Sequence, residues 1–171
     1  MGKIISIVNH KGGVGKTMTT QNLGAALALN GKKVLIVDFD PQCNLTTQTV
    51  SEVTVPTISN VLNEDLKIAG QEIQPNLFIL PGAEELDEDS LNLAAIEDVK
   101  TASNVLKTAL KTCKNDYDFI LIDAAPGSSM LMVNAITSAD VIIVPISDKN
   151  SISGAKKLSK IIKAYKVKAK G

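Results

Sequence analysis

Residues 11–17 read Lys-Gly-Gly-Val-Gly-Lys-Thr, and they follow an apolar run, Ile4-Ile5-Ser6-Ile7-Val8. A segment with helical spacing comes next. Strand, glycine-rich loop, lysine, hydroxyl and helix is the layout of a phosphate-binding P-loop. The glycines let the backbone curl until its N–H groups converge on a phosphate chain. The positive end of the following helix adds to that attraction. In such a loop Lys16 reaches the β- and γ-phosphates and the Thr17 hydroxyl ligates Mg²⁺. The usual Gly-x-x-x-x-Gly-Lys-Thr spacing is met with one change: its first glycine position holds His10, and Lys11 is a second lysine inside the loop. A glycine-rich turn with two surface lysines is the plain alternative, and the flanking strand and helix patterns argue against it.

Composition sets the frame around this loop. A chain of 171 residues is long enough for one domain with a real core. With no Trp, two Tyr and three Phe, that core is aliphatic. No apolar run approaches a membrane span, and the N-terminus lacks the pattern of a secretion signal. Cys43 and Cys113 are far apart and form no metal-type pair, so a reducing cytosol with inert, buried thiols is expected. The charge is uneven: residues 1–148 hold all 18 acids and 10 lysines, whereas residues 149–171 hold eight lysines and no acid. That basic end fits either contact with a polyanion or a solvated helix face. Arginine is absent, so a nucleotide hydrolase built on this chain takes its transition-state cation from a lysine or a partner.

Strand and helix patterns alternate, which predicts an α/β fold with a mostly parallel sheet flanked by helices. Strands are expected at Lys3–Val8, Lys33–Val37, Leu77–Leu80, Phe119–Ile122 and Val141–Val144, the short continuous apolar ones buried on both faces. Helices are expected over Lys16–Leu29, with a face marked by Leu23, Ala26 and Leu27, and over Ala102–Cys113. A short helix capped by Thr57 runs through Asn63. Asp38 to about Thr47 reads as a loop, and Glu84–Asp89 as a solvated turn or helix start. The last helix, about Ile152–Tyr165, is amphipathic: Ala155, Leu158, Ile161, Ile162 and Tyr165 share one face, apart from most of its lysines.

Three acids lie at or just beyond the carboxyl ends of expected strands, where open α/β sheets bind ligands. Asp123 closes Phe119-Ile120-Leu121-Ile122, the form of a Walker-B strand whose carboxylate holds Mg²⁺. Asp38 and Asp40 follow Val34–Val37 and share the P-loop edge if the second strand neighbours the first. An acid there binds metal-linked water or orients an attacking water. Capping of a strand-end turn is the alternative for each acid alone.

With these segments in view, the chain resembles the ParA/MinD family of P-loop ATPases. The resemblance rests on KGGVGKT at 11–17, VDFDPQCN at 37–44 and FILIDAAPG at 119–127, and spans residue 3 to about 160. The lysine-first loop is the deviant Walker A motif of that family, and the Asp-Phe-Asp-Pro-Gln segment points to its ParA partition branch. The resemblance implies a three-layer P-loop NTPase fold, ATP and Mg²⁺ as ligands, and slow, partner-stimulated hydrolysis to ADP and phosphate. Lys11 then reaches across a dimer interface to the partner's phosphates. Gly12, Gly13, Val14, Gly15, Lys16, Thr17 and Met18 cradle the nucleotide. Thr17, Asp38 and Asp123 lie at the metal, and Asp40 positions the hydrolytic water, which makes Lys11, Lys16 and Asp40 the catalytic set. Asn44 falls beside the nucleotide or the dimer interface, and Pro126-Gly127 begins a second switch-like turn. Met18 replaces a hydroxyl residue and leaves only a backbone N–H for an α-phosphate. Ala124-Ala125 replaces Thr-Pro or Cys-Pro, and His10 stands where glutamine is common, as a bystander. Family members continue past residue 171 with segments that hold the base and complete the DNA-binding surface, so residues 1–171 read as one P-loop domain lacking that C-terminal part.

The expected function is an ATP-dependent partition ATPase of the cytoplasm and nucleoid. It forms an ATP-induced homodimer that binds DNA without sequence preference through Lys156, Lys157, Lys160 and Lys163. A ParB-like centromere-binding protein stimulates hydrolysis and releases the dimer. A strand beginning at Lys3 speaks against an N-terminal helix-turn-helix and operator-specific repression. The main alternative is a MinD-like switch that lays its last helix on anionic lipid. That helix lacks Phe and Trp anchors. An iron–sulfur reductase, an amidotransferase-like ligase and a non-enzymatic nucleotide-binding module are further alternatives.

Overall fold

The computed structural model describes residues 2–64 and 66–168. Its centre is a six-stranded sheet made of β1 (Lys3–Ile7), β2 (Val34–Phe39), β3 (Gln71–Gln74), β4 (Leu77–Leu80), β5 (Phe119–Ala124) and β6 (Val141–Ile143). The order is β3-β4-β2-β5-β1-β6. Every pairing is parallel except β3 with β4. β5 therefore lies between β1 and β2, and the second strand does not neighbour the first. The expected shared edge survives, because both strands run parallel to β5 and end level with it: Ile7 and Asp38 each pair with Asp123.

Alternation along the strands sorts the side chains into two cores. Ile7, Val34, Ile36, Ile79 and Leu121 face α1 (Lys16–Leu29) and α2 (Asn44–Thr49). Ile4, Leu35, Val37, Ile120 and Ile122 face the larger layer. That layer holds α3 (Ile58–Asn63), α4 (Leu86–Ala95), α5 (Val99–Ala102), α6 (Val105–Lys111), α7 (Met130–Ser138) and α8 (Lys149–Lys168).

Several local expectations are met by this chemistry. Thr57 caps α3 through a reciprocal pair of bonds with Asn60. Leu158 of α8 is buried, with Ile161 and Ile162 packed beside it. Others are corrected. β2 continues through Asp38 and Phe39, and the expected loop after it contains α2. The expected helix over 102–113 is shorter, α6, and a turn at Ser103 and Asn104 separates it from α5. β6 is an edge strand with Val141 exposed, not a strand buried on both faces. Glu84–Asp89 is a helix start, as one of its two readings has it, since α4 opens at Leu86, but it is not solvated throughout: Asp89 is buried, accepting bonds from Ser59 (2.7 Å) and Asn63 (2.7 Å). The fully buried stripe of α1 is Lys16, Thr20, Gly24 and Ala28; of the expected face, Leu23 and Leu27 pack half-buried beside it and Ala26 is exposed. Gly24 permits that approach, since a Cβ there would stand 2.8 Å from the Ile36 Cγ2. Among the described residues no helix is long and apolar enough to cross a membrane.

Candidate active site

The loop between β1 and α1 opens at the carboxyl edge of the sheet. Gly13 (φ 71°) and Gly15 (φ 86°) take left-handed backbone, which side chains with a Cβ resist. A Cβ built on Gly12, Gly13 or Gly15 meets nothing within 4 Å, so the space around the loop is open. Asn9 ties the loop to the scaffold. Its side-chain amide is buried, donates to the Pro145 carbonyl (2.7 Å) and accepts from the Lys11 N–H (3.1 Å). The Gly127 N–H donates to the His10 carbonyl (3.0 Å), which joins the second switch-like turn to the P-loop. Val14 is buried and Met18 is 69% exposed, so the Met18 side chain adds nothing to the cradle.

Lys16 opens α1 and is buried, its Nζ 3.5 Å from the Lys11 carbonyl. Burial lowers its pKa, opposed by the charges of Asp123 and Asp40. Thr17 follows, and its hydroxyl hydrogen-bonds the Asp123 carboxylate. Burial pushes Asp123 up to about 7 against that bond, with Asp38 raising it further, Lys16 lowering it and Asp40 raising it. Asp38 is fully buried on the neighbouring strand. Its Oδ2 accepts from the Thr46 N–H (2.8 Å) and hydroxyl (2.7 Å), and the same Thr46 oxygen accepts from the Gly82 N–H (2.8 Å). Burial raises the Asp38 pKa despite the Thr46 bonds, and the Asp40 charge adds to the rise. Asp40 sits half-buried in the turn beyond β2, where its Oδ1 accepts from the Gln42 N–H (3.0 Å).

One feature separates this cluster from an ordinary polar core. Asp38 Oδ1 and Asp123 Oδ1 are buried and have no hydrogen-bond partner. The two residues are register partners on adjacent parallel strands, so their side chains leave the same face of the sheet. Two orphaned carboxylate oxygens beside a threonine hydroxyl are a hard, oxygen-rich donor set that fits Mg²⁺ with its waters. The open glycine nest and the buried ammonium of Lys16 fit a phosphate chain.

Lys11 points elsewhere: its Nζ pairs with Asp148 Oδ2 at 2.5 Å, just before α8. Asn44 is exposed at the start of α2. Cys43, expected to be buried, is only half-buried. Desolvation, helped by Asp38 and nearby acids, pushes its thiol up to about 11. Cys113 is buried and likewise pushed up to about 11 by burial. Lys156, Lys157, Lys160 and Lys163 are all exposed on α8, opposite buried Leu158. Gly82 and Asp148 are distant in sequence from the residues they touch, and Thr46, although only eight residues past Asp38, is signalled by no spacing. Asn9 had one signal, a polar residue directly ending an apolar strand.

Residues 2–170 match the family model described as AAA domain, AAA_31. The chain is similar to the sporulation initiation inhibitor protein Soj of Bacillus subtilis, 41% identical over 153 residues, covering 85% of this chain and 58% of that protein. It is also similar to the chromosome-partitioning ATPase Soj of Treponema pallidum, 38% identical over 152 residues, covering 85% and 57%. The chain thus spans less than two thirds of the length of these relatives. Among solved structures it resembles the cobyrinic acid a,c-diamide synthase of Mycobacterium smegmatis with bound ADP and magnesium, with a TM-score of 0.85 and 28% identity, covering 96% of this chain and 68% of that one. A lysine-first glycine nest, orphaned acids at the strand ends of a mostly parallel sheet and a family match across nearly the whole chain agree: the chain belongs to the AAA domain family, AAA_31, as a P-loop protein of the ParA/MinD type.

Proposed function

We propose that this chain carries the nucleotide site of a ParA-type partition ATPase. The observation that carries the reading is the pair of orphaned buried oxygens on Asp38 and Asp123 beside Thr17, in front of an open glycine nest. The N–H groups of residues 12–18 and the Lys16 ammonium hold the phosphates of ATP. Thr17 and Asp123 hold Mg²⁺, and the free oxygen of Asp38 takes a water of the ion. Bound Mg²⁺ supplies charge neutralisation on the phosphate oxygens. Asp40, in the turn past β2, orients the attacking water. Without arginine, the cation for the developing charge is Lys11, delivered from a second copy of the chain. That role requires Lys11 to leave Asp148. The exposed lysines of α8, Lys156, Lys157, Lys160 and Lys163, serve non-specific DNA, with binding that falls steeply with salt. A centromere-binding partner stimulates turnover, and the setting is the cytoplasm and nucleoid. A lipid-bound switch is disfavoured because the apolar face of α8 is already committed to the core through Leu158.

Size-exclusion chromatography with light scattering tests the reading. Asp40→Ala with Mg·ATP is expected to run as a stable dimer, whereas the same variant with ADP, or wild type without nucleotide, runs as a monomer. A monomeric Asp40→Ala variant that binds ATP tightly would overturn the dimer mechanism. Failure of wild type to bind ATP would overturn the site.

A further inference from the structure

We propose that the groove between α3 and the α5–α6 segment is a docking site for an acidic amphipathic segment of a partner protein. The groove has a volume of about 920 Å³ and is lined by no residue of the P-loop or its acids. It lies on the face of the sheet opposite α1, because α3 and α6 pack into the larger core.

Its floor is apolar. Val61 is buried beneath it, Leu62, Val105 and Ala109 are half-buried along it, and Leu66 is 37% exposed at its edge. Among its described lining residues the charge is of one sign. Lys67, Lys100, Lys107 and Lys111 line it, and no described acid does. The two ion pairs among the described residues, Lys11–Asp148 and Lys114–Asp140, involve none of these lysines. Lys100 stands beside Asp98, whose carboxylate is engaged in capping α5 through the backbone of Lys100 and Thr101. Lys107 and Lys111 are one helical turn apart on α6, and Lys107 is half-buried.

An apolar floor with a cationic rim matches a helix that presents leucine-type anchors on one side and carboxylates along their flanks. Opposite charges across the rim give orientation and encounter rate, and the floor gives affinity. Nucleic acid fits less well. No aromatic or arginine side chain lines the groove for base stacking, and a phosphodiester chain gains nothing from Val105 or Leu62.

The test uses the chain as it stands and a fluorescein-labelled helical peptide with leucines at helical spacing flanked by glutamates, read by anisotropy. Binding is expected. Lys107→Glu with Lys111→Glu is expected to weaken it at least tenfold. Thr108→Trp fills the exposed groove wall without changing charge and is expected to weaken it similarly. Circular dichroism and affinity for an ATP analogue, both unchanged, show that the variants fold. Photo-crosslinking of the peptide to wild type is expected to label residues 61–67 and 100–112, which keeps the proposal testable if a variant misfolds. The proposal is overturned if the charge-reversed variant binds as wild type, if a glutamate peptide without leucines binds equally well, or if crosslinks map elsewhere. Displacement of the peptide by short duplex DNA, lost in the same charge-reversed variant, would make the groove a nucleic-acid surface instead.

Discussion

Asp89 and the Asp38–Asp123 pair are all buried carboxylates, and they differ in one respect. Asp89 lies between α3 and α4 with both oxygens engaged, one by Ser59 and one by Asn63. Asp38 and Asp123 lie at the strand ends with one oxygen each left without a partner. A buried acid that is satisfied ties helices together. A buried acid that is left open destabilises the resting protein, and that cost marks a site shaped for something not yet bound. Where the acid sits in the fold separates the two kinds: a helix–helix seam in one case, the carboxyl edge beside a glycine nest in the other.

The largest effect expected at the open edge is that of Lys16→Ala. That substitution removes a buried ammonium and, on the proposed function, the charge-assisted hydrogen bonds it would give the phosphates. Affinity for a fluorescent ATP analogue should fall by about a thousandfold. Unchanged titration would remove Lys16 from the site and leave the orphaned acids unexplained. Next is Asp123→Asn, measured by urea unfolding in chelator. The folded pKa of Asp123 is raised to about 7, so the native state keeps its proton longer than the unfolded chain. The stability this acid withholds is small below the unfolded value, grows as pH rises toward 7 and is constant above it. The asparagine variant should therefore gain on wild type by about 2 to 3 kcal/mol between about pH 5 and about pH 8. A gap that stays flat with pH would mean that Asp123 is as well solvated as a surface acid.

The closed acid behaves in the opposite sense. Asp89→Ala leaves Ser59 and Asn63 without their acceptor and should destabilise the fold by about 1 to 3 kcal/mol, with nucleotide affinity unchanged. Loss of nucleotide binding in that variant would blur the distinction. The smallest effect sharpens it from the other side. Thr46→Val removes the hydroxyl that donates to Asp38 and accepts from Gly82, at a cost of about 1 kcal/mol. Because Asp38 then loses one of its two anchors, the Mg²⁺ dependence of nucleotide affinity should weaken more than the fold does. Equal affinity with and without Thr46 would make that network structural only.

The strands β1, β2, β4 and β5 were legible because continuous Ile, Val and Leu runs between polar turns have few other uses in a protein this size. The P-loop was legible because glycine, lysine and hydroxyl at that spacing meet a chemical requirement that is local in the chain. The apolar side of α8 was legible because a surface helix carries its burial as a 3.6-residue period. By contrast, α1 was readable as a helix but only partly in its packing. Leu23 and Leu27 lean on the core as their spacing suggests, whereas the fully buried stripe is lysine, threonine, glycine and alanine, which allow close approach. Nor could β3 and α7 be placed, and only the start of α4 was, since Gln71-Glu72-Ile73-Gln74 has little apolar signal and α7 is almost wholly buried and shows no polar face.

What the amino-acid sequence determined by itself, then, was the lysine-containing glycine loop, the acids that close its apolar runs and the α/β class, all legible as patterns local in the chain. Tertiary structure alone decided that β5 separates β1 from β2, that Asp38 is a strand residue anchored by Thr46, and that Lys11 rests on Asp148. It also decided that the lysines of α6 frame an apolar groove. All but the Asp38–Thr46 bonds, which span eight residues, join residues separated by long stretches of chain. Which partner wins there depends on strand order and helix packing across the whole domain, and no local period or motif encodes that outcome.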